Sequence, residues 1–172
     1  MAAESRVLSH NWPRWFVISA LVIVLDQVTK YWVSQSLAHG ASVPVTPFFN
    51  LVLTYNTGAA FSFLSQASGW QRGFFIVIAA LASLFIIYFI RRYHREKRFS
   101  FGLSLILGGA LGNLWDRIVL GHVVDFLDFY IQAYHWPAFN VADSAITCGV
   151  ALLIWDGLRL NKAKQKTGGA KV

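Results

Sequence analysis

Charge is what this chain has least of. Asp, Glu, Lys and Arg together make up 13% of its 172 residues, while 56% are hydrophobic and 16% aromatic. Soluble domains average roughly 25% charged residues, so a water-soluble globule is excluded and membrane spans become the leading expectation. Cysteine is nearly absent too. Cys148 stands alone, which rules out a disulfide framework, and with no histidine close to it in sequence it is expected to be a buried apolar filler, not a nucleophile. No Gly-x-Ser-x-Gly elbow or zinc spacing occurs. His122 and His135 bracket Asp125 and Asp128, but at distances that fit no local ligand motif, so neither metal nor cofactor is expected.

Lys and Arg are missing altogether from residues 40–70 and 119–138. They gather instead near the N-terminus, in the run RRYHREKR at 91–98, and after residue 158. These clusters are short and adjoin apolar stretches, which argues against nucleic acid as the partner of the +7 net charge. The apolar stretches cover about 15–33, 73–90, 99–118 and 139–158. The first of them, from Trp15 to Val33, rises about 28 Å as a helix, enough to cross the hydrocarbon. A cleavable signal peptide is the rival reading there, but Asp26 and Lys30 interrupt its core. The two lie at i, i+4 with the acid first, the favourable order for a helical ion pair.

Four spans with basic flanks at both termini and in the middle loop place those flanks in the cytoplasm by the positive-inside rule. The loops at 40–70 and 119–138 then lie outside, and 159–172 forms a cytoplasmic basic tail, with no structure expected from 161 onward. In the first outer loop Phe49, Leu51, Leu53 and Tyr55 alternate as a strand does, and Ala59 to Gln66 is a candidate short amphipathic helix. Gly102, Gly108, Gly109 and Gly112 give the third span a small-residue face for close helix approach.

Residues 108–143 carry four of the eight acids in the chain. Polar groups kept at membrane depth are functional candidates. By topology Asn56, Asn113, Arg117, Asp125, Asn140 and Asp143 converge near the outer boundary of the bilayer. Two carboxylates sharing a poorly solvated site keep one proton between them, which is what splitting an amide with water requires. The alternative is that the aspartates are ion pairs or caps. That reading is favoured for Asp26 and Asp116, whose basic neighbours are Lys30 and Arg117, whereas Asp125 and Asp143 have no such neighbour in sequence. Function and structure stay balanced for that second pair on residues alone.

Five blocks resolve the balance: Asp26-Gln27 with Lys30, YNTGAAFS at 55–62, GGALGNLWDR at 108–117, GHVVDF at 121–126 and FNVADS at 139–144. Together, in this order, they resemble the lipoprotein signal peptidases, the type II signal peptidases of bacteria, over about residues 16–158. The resemblance implies an all-α membrane protein of four transmembrane helices with a small extracytoplasmic β-like cradle and a short amphipathic helix. It implies an aspartic endopeptidase that removes the signal peptide from diacylglyceryl-modified prolipoproteins, cutting before the lipidated cysteine, in the bacterial inner membrane. Asp125 and Asp143 match the catalytic dyad, with Asp128 an alternative outside the motif. Asn56, Asn113, Arg117 and Asn140 match positions that line the site and orient substrate or dyad. Asp26, Lys30 and Asp116 are expected to be structural. The expected partners are lipidated precursors and membrane lipids, with the protein acting as a monomer. A proton-coupled transporter or a scaffold would also carry polar groups in spans, but the first needs them to connect both faces and the second needs no converging site.

Overall fold

Pro13 opens the first helix, because its fixed φ and missing N–H suit a first helical turn, and α1 runs Pro13–Ser36. The computed structural model describes residues 11–58 and 70–168, with three further helices: α2 Trp70–Tyr93, α3 Lys97–Val119 and α4 Val141–Gly168. The first three predicted stretches each fall inside one helix. The fourth helix begins two residues later than predicted, since Asn140 precedes it as a cap and Phe139 is still bridged to Leu127. It also continues to Gly168, through residues expected to lack structure. Lys, Ala and Gln are good helix formers, and their run there carries the helix on. The candidate helix at 59–66 lies outside the described residues.

Between the helices lie β1 Ser42–Thr46, β2 Phe49–Asn56, β3 Val123–Ile131 and β4 Tyr134–His135, paired antiparallel in the order β1-β2-β3-β4. The sheet joins the two loops that lack Lys and Arg. Its β2–β3 register slips between Leu51 and Thr54. That bulge breaks the predicted alternation, so Leu53 is 2% exposed and Tyr55 41%. Val124 and Phe126 of β3 pack with Leu53 and with Val33 of α1, fixing the sheet against the end of the bundle.

The helices are inside-out relative to a soluble protein. Leu21, Val24, Val28 and Trp32 on α1, Leu81, Leu84 and Phe85 on α2, and Ile154 and Leu158 on α4 are all more than half exposed. Water does not tolerate apolar patches of that extent, whereas lipid does. α1, α2 and α4 are each long and apolar enough to cross a membrane. α3 is different: it packs against each of the other three, and Ser104, Leu107, Asn113 and Asp116 along it are buried. A helix enclosed by others needs less apolar exterior, which is why its composition is milder. Glycine permits the enclosure. A Cβ at Gly108 would lie 2.8 Å from the Ser19 carbonyl oxygen of α1, and one at Gly109 would run into the Ala142 carbonyl oxygen of α4.

Candidate active site

α4 starts with a reciprocal cap. Asn140 Oδ1 accepts from the Asp143 backbone N–H at 2.9 Å, and Asp143 Oδ2 accepts from the Asn140 N–H at 3.3 Å, as in a capping box with Asn and Asp in the two roles. The cap directs the Asn140 amide toward β3, where its Nδ2 donates to Asp125 Oδ1 at 2.7 Å. The other oxygen of Asp125 accepts from Asn56 Nδ2 at 3.1 Å. Asn113 of α3 donates to Asp143 Oδ1 at 2.8 Å. Thus Asn56, Asn113 and Asn140 hold Asp125 and Asp143 by neutral amides, and no cation is salt-bridged to either carboxylate among the described residues.

Asp125 is 2% exposed. Burial, together with the charge of Asp143, pushes its pKa up to about 7, against the opposing hydrogen bonds from Asn56 and Asn140. Asp128 goes elsewhere. Three residues from Asp125 on a strand, it faces the opposite side of the sheet. There it accepts from Asn50 Nδ2 at 2.8 Å and meets His135 Nδ1 at 2.9 Å. Strand parity therefore removes the alternative raised by its proximity in sequence. The histidines separate too, since His122 stacks on Tyr55 with ring centroids 4.2 Å apart while Tyr55 stacks on His39 at 4.5 Å. No group of three His, Cys, Asp or Glu side chains suited to a metal occurs among the described residues.

A second polar cluster lies deeper in the bundle. Lys30 Nζ reaches Asp26 at 2.7 Å, Asp116 at 2.8 Å and Asn113 Oδ1 at 2.9 Å, so its three protons meet three acceptors. Gln27 Nε2 adds a bond to Asp116 at 2.8 Å. The predicted Asp26–Lys30 pair is present. The predicted Asp116–Arg117 pair is not: adjacent helical residues point apart, and Asp116 turns to Lys30. Arg117 instead donates to the Gly58 carbonyl at 2.8 Å and to the Asn113 carbonyl at 3.3 Å, with its guanidinium 5.3 Å from the Phe75 ring centre. Its buried Nε has no partner among the described residues.

These groups stand at the polar end of a cavity of about 610 Å³ between α2 and α4. Asn56, Asn113, Arg117 and Asp143 line that end, while Phe75, Ile78, Ala110 and Ile146 make an apolar trough and Trp136 to Phe139 cover it. Asp125 is set back, bonded to Asn56, which does line the cavity. Cys148 lies along the trough and is exposed, contrary to the buried filler expected, because α4 has a lipid-facing side and the residue falls on it.

Sequence reasoning missed several contributors. Arg72 caps α3 by donating to the Arg117 and Ile118 carbonyls at 2.9 and 3.0 Å, and a lone arginine just before an apolar run gives no hint of that. Phe75 was hidden among many aromatics. The FNVAD cap did have a signal, an Asx residue three positions before an acid at a helix start.

Apolar helices with an outward-facing hydrophobic surface, a small antiparallel sheet and a polar pocket at one end define a multi-pass membrane protein. Residues 18–159 match the family described as Signal peptidase (SPase) II, and the chain belongs to that family, which is one of proteases. The lipoprotein signal peptidase of Ralstonia nicotianae is 55% identical over 150 residues, covering 87% of each chain. That of Cupriavidus pinatubonensis is 57% identical over 145 residues, covering 84% of this chain and 82% of its own. Two solved structures titled as a bacterial membrane enzyme, at 2.3 and 1.9 Å resolution, are each 36% identical. Their TM-scores are 0.79 and 0.75, with coverage of 88% and 85% of this chain and 92% and 93% of theirs.

Proposed function

We propose that this protein is an aspartic endopeptidase that removes the signal peptide from diacylglyceryl-modified prolipoproteins, cutting before the lipidated cysteine. The observation that carries the reading is the pairing of Asp125 and Asp143 on neutral amides at the polar end of an apolar trough. Asp143 faces the cavity and takes a proton from the attacking water. Asp125, protonated up to about pH 7 by its burial beside Asp143, donates to the carbonyl oxygen. The tetrahedral intermediate then collapses as Asp143 passes that proton to the leaving amide nitrogen and Asp125 takes one back from a hydroxyl of the intermediate, which breaks the C–N bond, restores both carboxyl groups and leaves no covalent bond to the enzyme. Asn56, Asn113 and Asn140 hold the two carboxyl groups, and Arg117 orients the substrate from the same wall. A lipidated cysteine is held at the membrane surface by its acyl chains, so anchoring supplies much of the orientation that the reaction needs.

On this reading α3 is the fourth span, both termini are cytoplasmic, and the site opens toward the outer face of the bacterial inner membrane. One membrane domain acts as a monomer. The basic flanks at 91–98 and beyond 158 support that orientation. A reporter fused near Arg95 is expected to register cytoplasm and one near Gly121 the outer side; the reverse pair of results overturns the topology. The function itself is tested with purified protein in detergent given lipidated and unlipidated precursor. Cleavage of the lipidated form alone is expected, and equal cleavage of both removes the lipid from the recognition.

A further inference from the structure

At the opposite end of the bundle from the aspartates, α2 carries Leu84, Ile87, Tyr88, Arg91 and Arg92 on one face, spaced three, four, seven and eight residues from the first. They line a second cavity of about 480 Å³. Its upper half is apolar and its lower half is cationic. Leu84 and Tyr88 are 63% and 60% exposed. The guanidinium of Arg91 lies 5.0 Å from the ring centre of Trp12, the residue preceding α1, and that of Arg92 lies 5.7 Å from the Tyr93 ring centre. Stacking on an aromatic face stiffens a guanidinium without neutralising it. The bracing continues through Trp15, whose indole N–H donates to the His94 carbonyl at 3.0 Å.

Among the described residues, no carboxylate supplies the missing charge. Near this end Asp156 lies 3.6 Å from Arg98, and Glu96, which is exposed, precedes the first residue of α3. Neither Arg91 nor Arg92 is in an ion pair among the described residues. The complement to this groove is therefore an anion attached to an apolar chain, presented at the membrane interface. A guanidinium fork matches phosphate oxygens bidentately.

We propose that the groove formed by Leu84, Ile87, Tyr88, Arg91 and Arg92 binds an anionic phospholipid, its phosphate on the two arginines and an acyl chain along Leu84 and Ile87. Nucleic acid or a soluble phosphate ester has no use for the apolar half. The site is separate from the peptidase reading, which stands or falls on its own assays.

The test is native mass spectrometry of delipidated full-length protein titrated with phosphatidylglycerol and with phosphatidylethanolamine of the same acyl chains. Each arginine near an anionic lipid surface is expected to contribute about fivefold, so the wild type should prefer phosphatidylglycerol by roughly twenty-five-fold. Arg91→Gln/Arg92→Gln should bring that preference to within about twofold, with precursor processing in detergent retained as evidence of an intact fold. Arg159→Gln, which removes a basic residue from α4, should leave the preference unchanged. No preference in the wild type, an unaltered preference in the double variant, or an equal drop in Arg159→Gln overturns the proposal, the last because it reports diffuse charge instead of a site. Should the double variant fail to insert, Leu84→Trp decides the matter, since it fills the apolar half and leaves the charge in place: reduced retention of phosphatidylglycerol supports the site and unchanged retention removes it.

Discussion

Two clusters of buried aspartates stand side by side in this protein and share one residue, Asn113, yet they are solved in opposite ways. In the deeper cluster Asp26 and Asp116 take a full cation: Lys30 gives one proton to each and its third to Asn113. One cation serves both carboxylates, and each of its three protons is used. In the other cluster, among the described residues, Asp125 and Asp143 accept only from asparagine amides and a backbone N–H. Neutral donors orient a carboxylate without cancelling its charge, which on the proposed mechanism keeps the proton of the pair movable. The first arrangement is also a foundation for the second. Asp26 accepts from the Ala142 N–H at 2.9 Å and Asp116 from the Val124 N–H at 3.4 Å, each one residue away from an aspartate of the pair. On the proposed function, the pair bound to Lys30 holds backbone and the pair held by amides is left for chemistry.

The sharpest break between the clusters is in turnover. Asp125→Asn and Asp143→Asn keep the shape and one of the two hydrogen bonds that each carboxylate accepts but cannot exchange the proton, so each is expected to lower processing of a lipidated precursor by about 10²- to 10⁴-fold, the usual worth of general acid–base catalysis. The protein should still insert and melt near the wild-type temperature. Rates near wild type for either variant would place the chemistry elsewhere. Lys30→Met should give the converse pattern. It strands two carboxylates without their cation, a change that costs about 3–5 kcal/mol when a buried pair loses one partner. Thermal unfolding in detergent is expected to show the loss directly, with activity per folded molecule declining much less than the folded fraction.

The pH dependence of stability separates the clusters more gently. Asp125 has its folded value near 7, above the ordinary 3.8, so the folded chain keeps a proton that the unfolded chain releases. That contribution is complete below about pH 4 and is lost as the pH rises through about 7. Asp125→Asn cannot ionise and lacks the dependence. Its melting temperature relative to wild type should therefore climb between about pH 4 and pH 7, and a flat difference would show that Asp125 ionises in the folded protein as it does in the unfolded chain. Processing by the wild type should decline above about pH 7 as Asp125 loses the proton it donates.

Much of this division was visible in the sequence, and what was not has a physical reason. Apolar runs and the placement of Arg and Lys located all four helices, because hydropathy along a helix is a local property. The Asp26–Lys30 pair was readable for the same reason, being a contact across one helical turn. Asp116 was misassigned to Arg117 because its true partner sits on another helix, brought close by the glycines along the α1–α3 and α3–α4 contacts, Gly108 and Gly109 among them. Likewise, nothing local to Asp26 indicates that it caps α4 more than a hundred residues further on. Asp125 and Asp128 could not be told apart by composition. What separates them is strand parity on β3, and which of the two faces meets the site follows only from the pairing of β3 with β2 and its packing on the bundle.

Asn56 offers the smallest and most discriminating change, because it touches the pair from one side and the wall of the cavity from the other. Its Nδ2 donates to Asp125 Oδ2, while its Oδ1 accepts from the Gly58 N–H at 2.9 Å. The Gly58 carbonyl in turn receives Arg117. The hydrogen bond from Asn56 holds the Asp125 pKa down against burial, so Asn56→Ala is expected to move it upward and carry the alkaline limb of the processing rate to higher pH. Because Asp125 reacts as the neutral acid, the loss is that of an ordinary positioning hydrogen bond, about 0.5–1.5 kcal/mol, so turnover at neutral pH should fall by roughly twofold to tenfold. If the limb moves, Asn56 acts on the proton of Asp125. An unmoved limb with a raised KM would instead assign its influence to the Gly58–Arg117 wall, leaving Asn140 alone to tune the buried member of the pair.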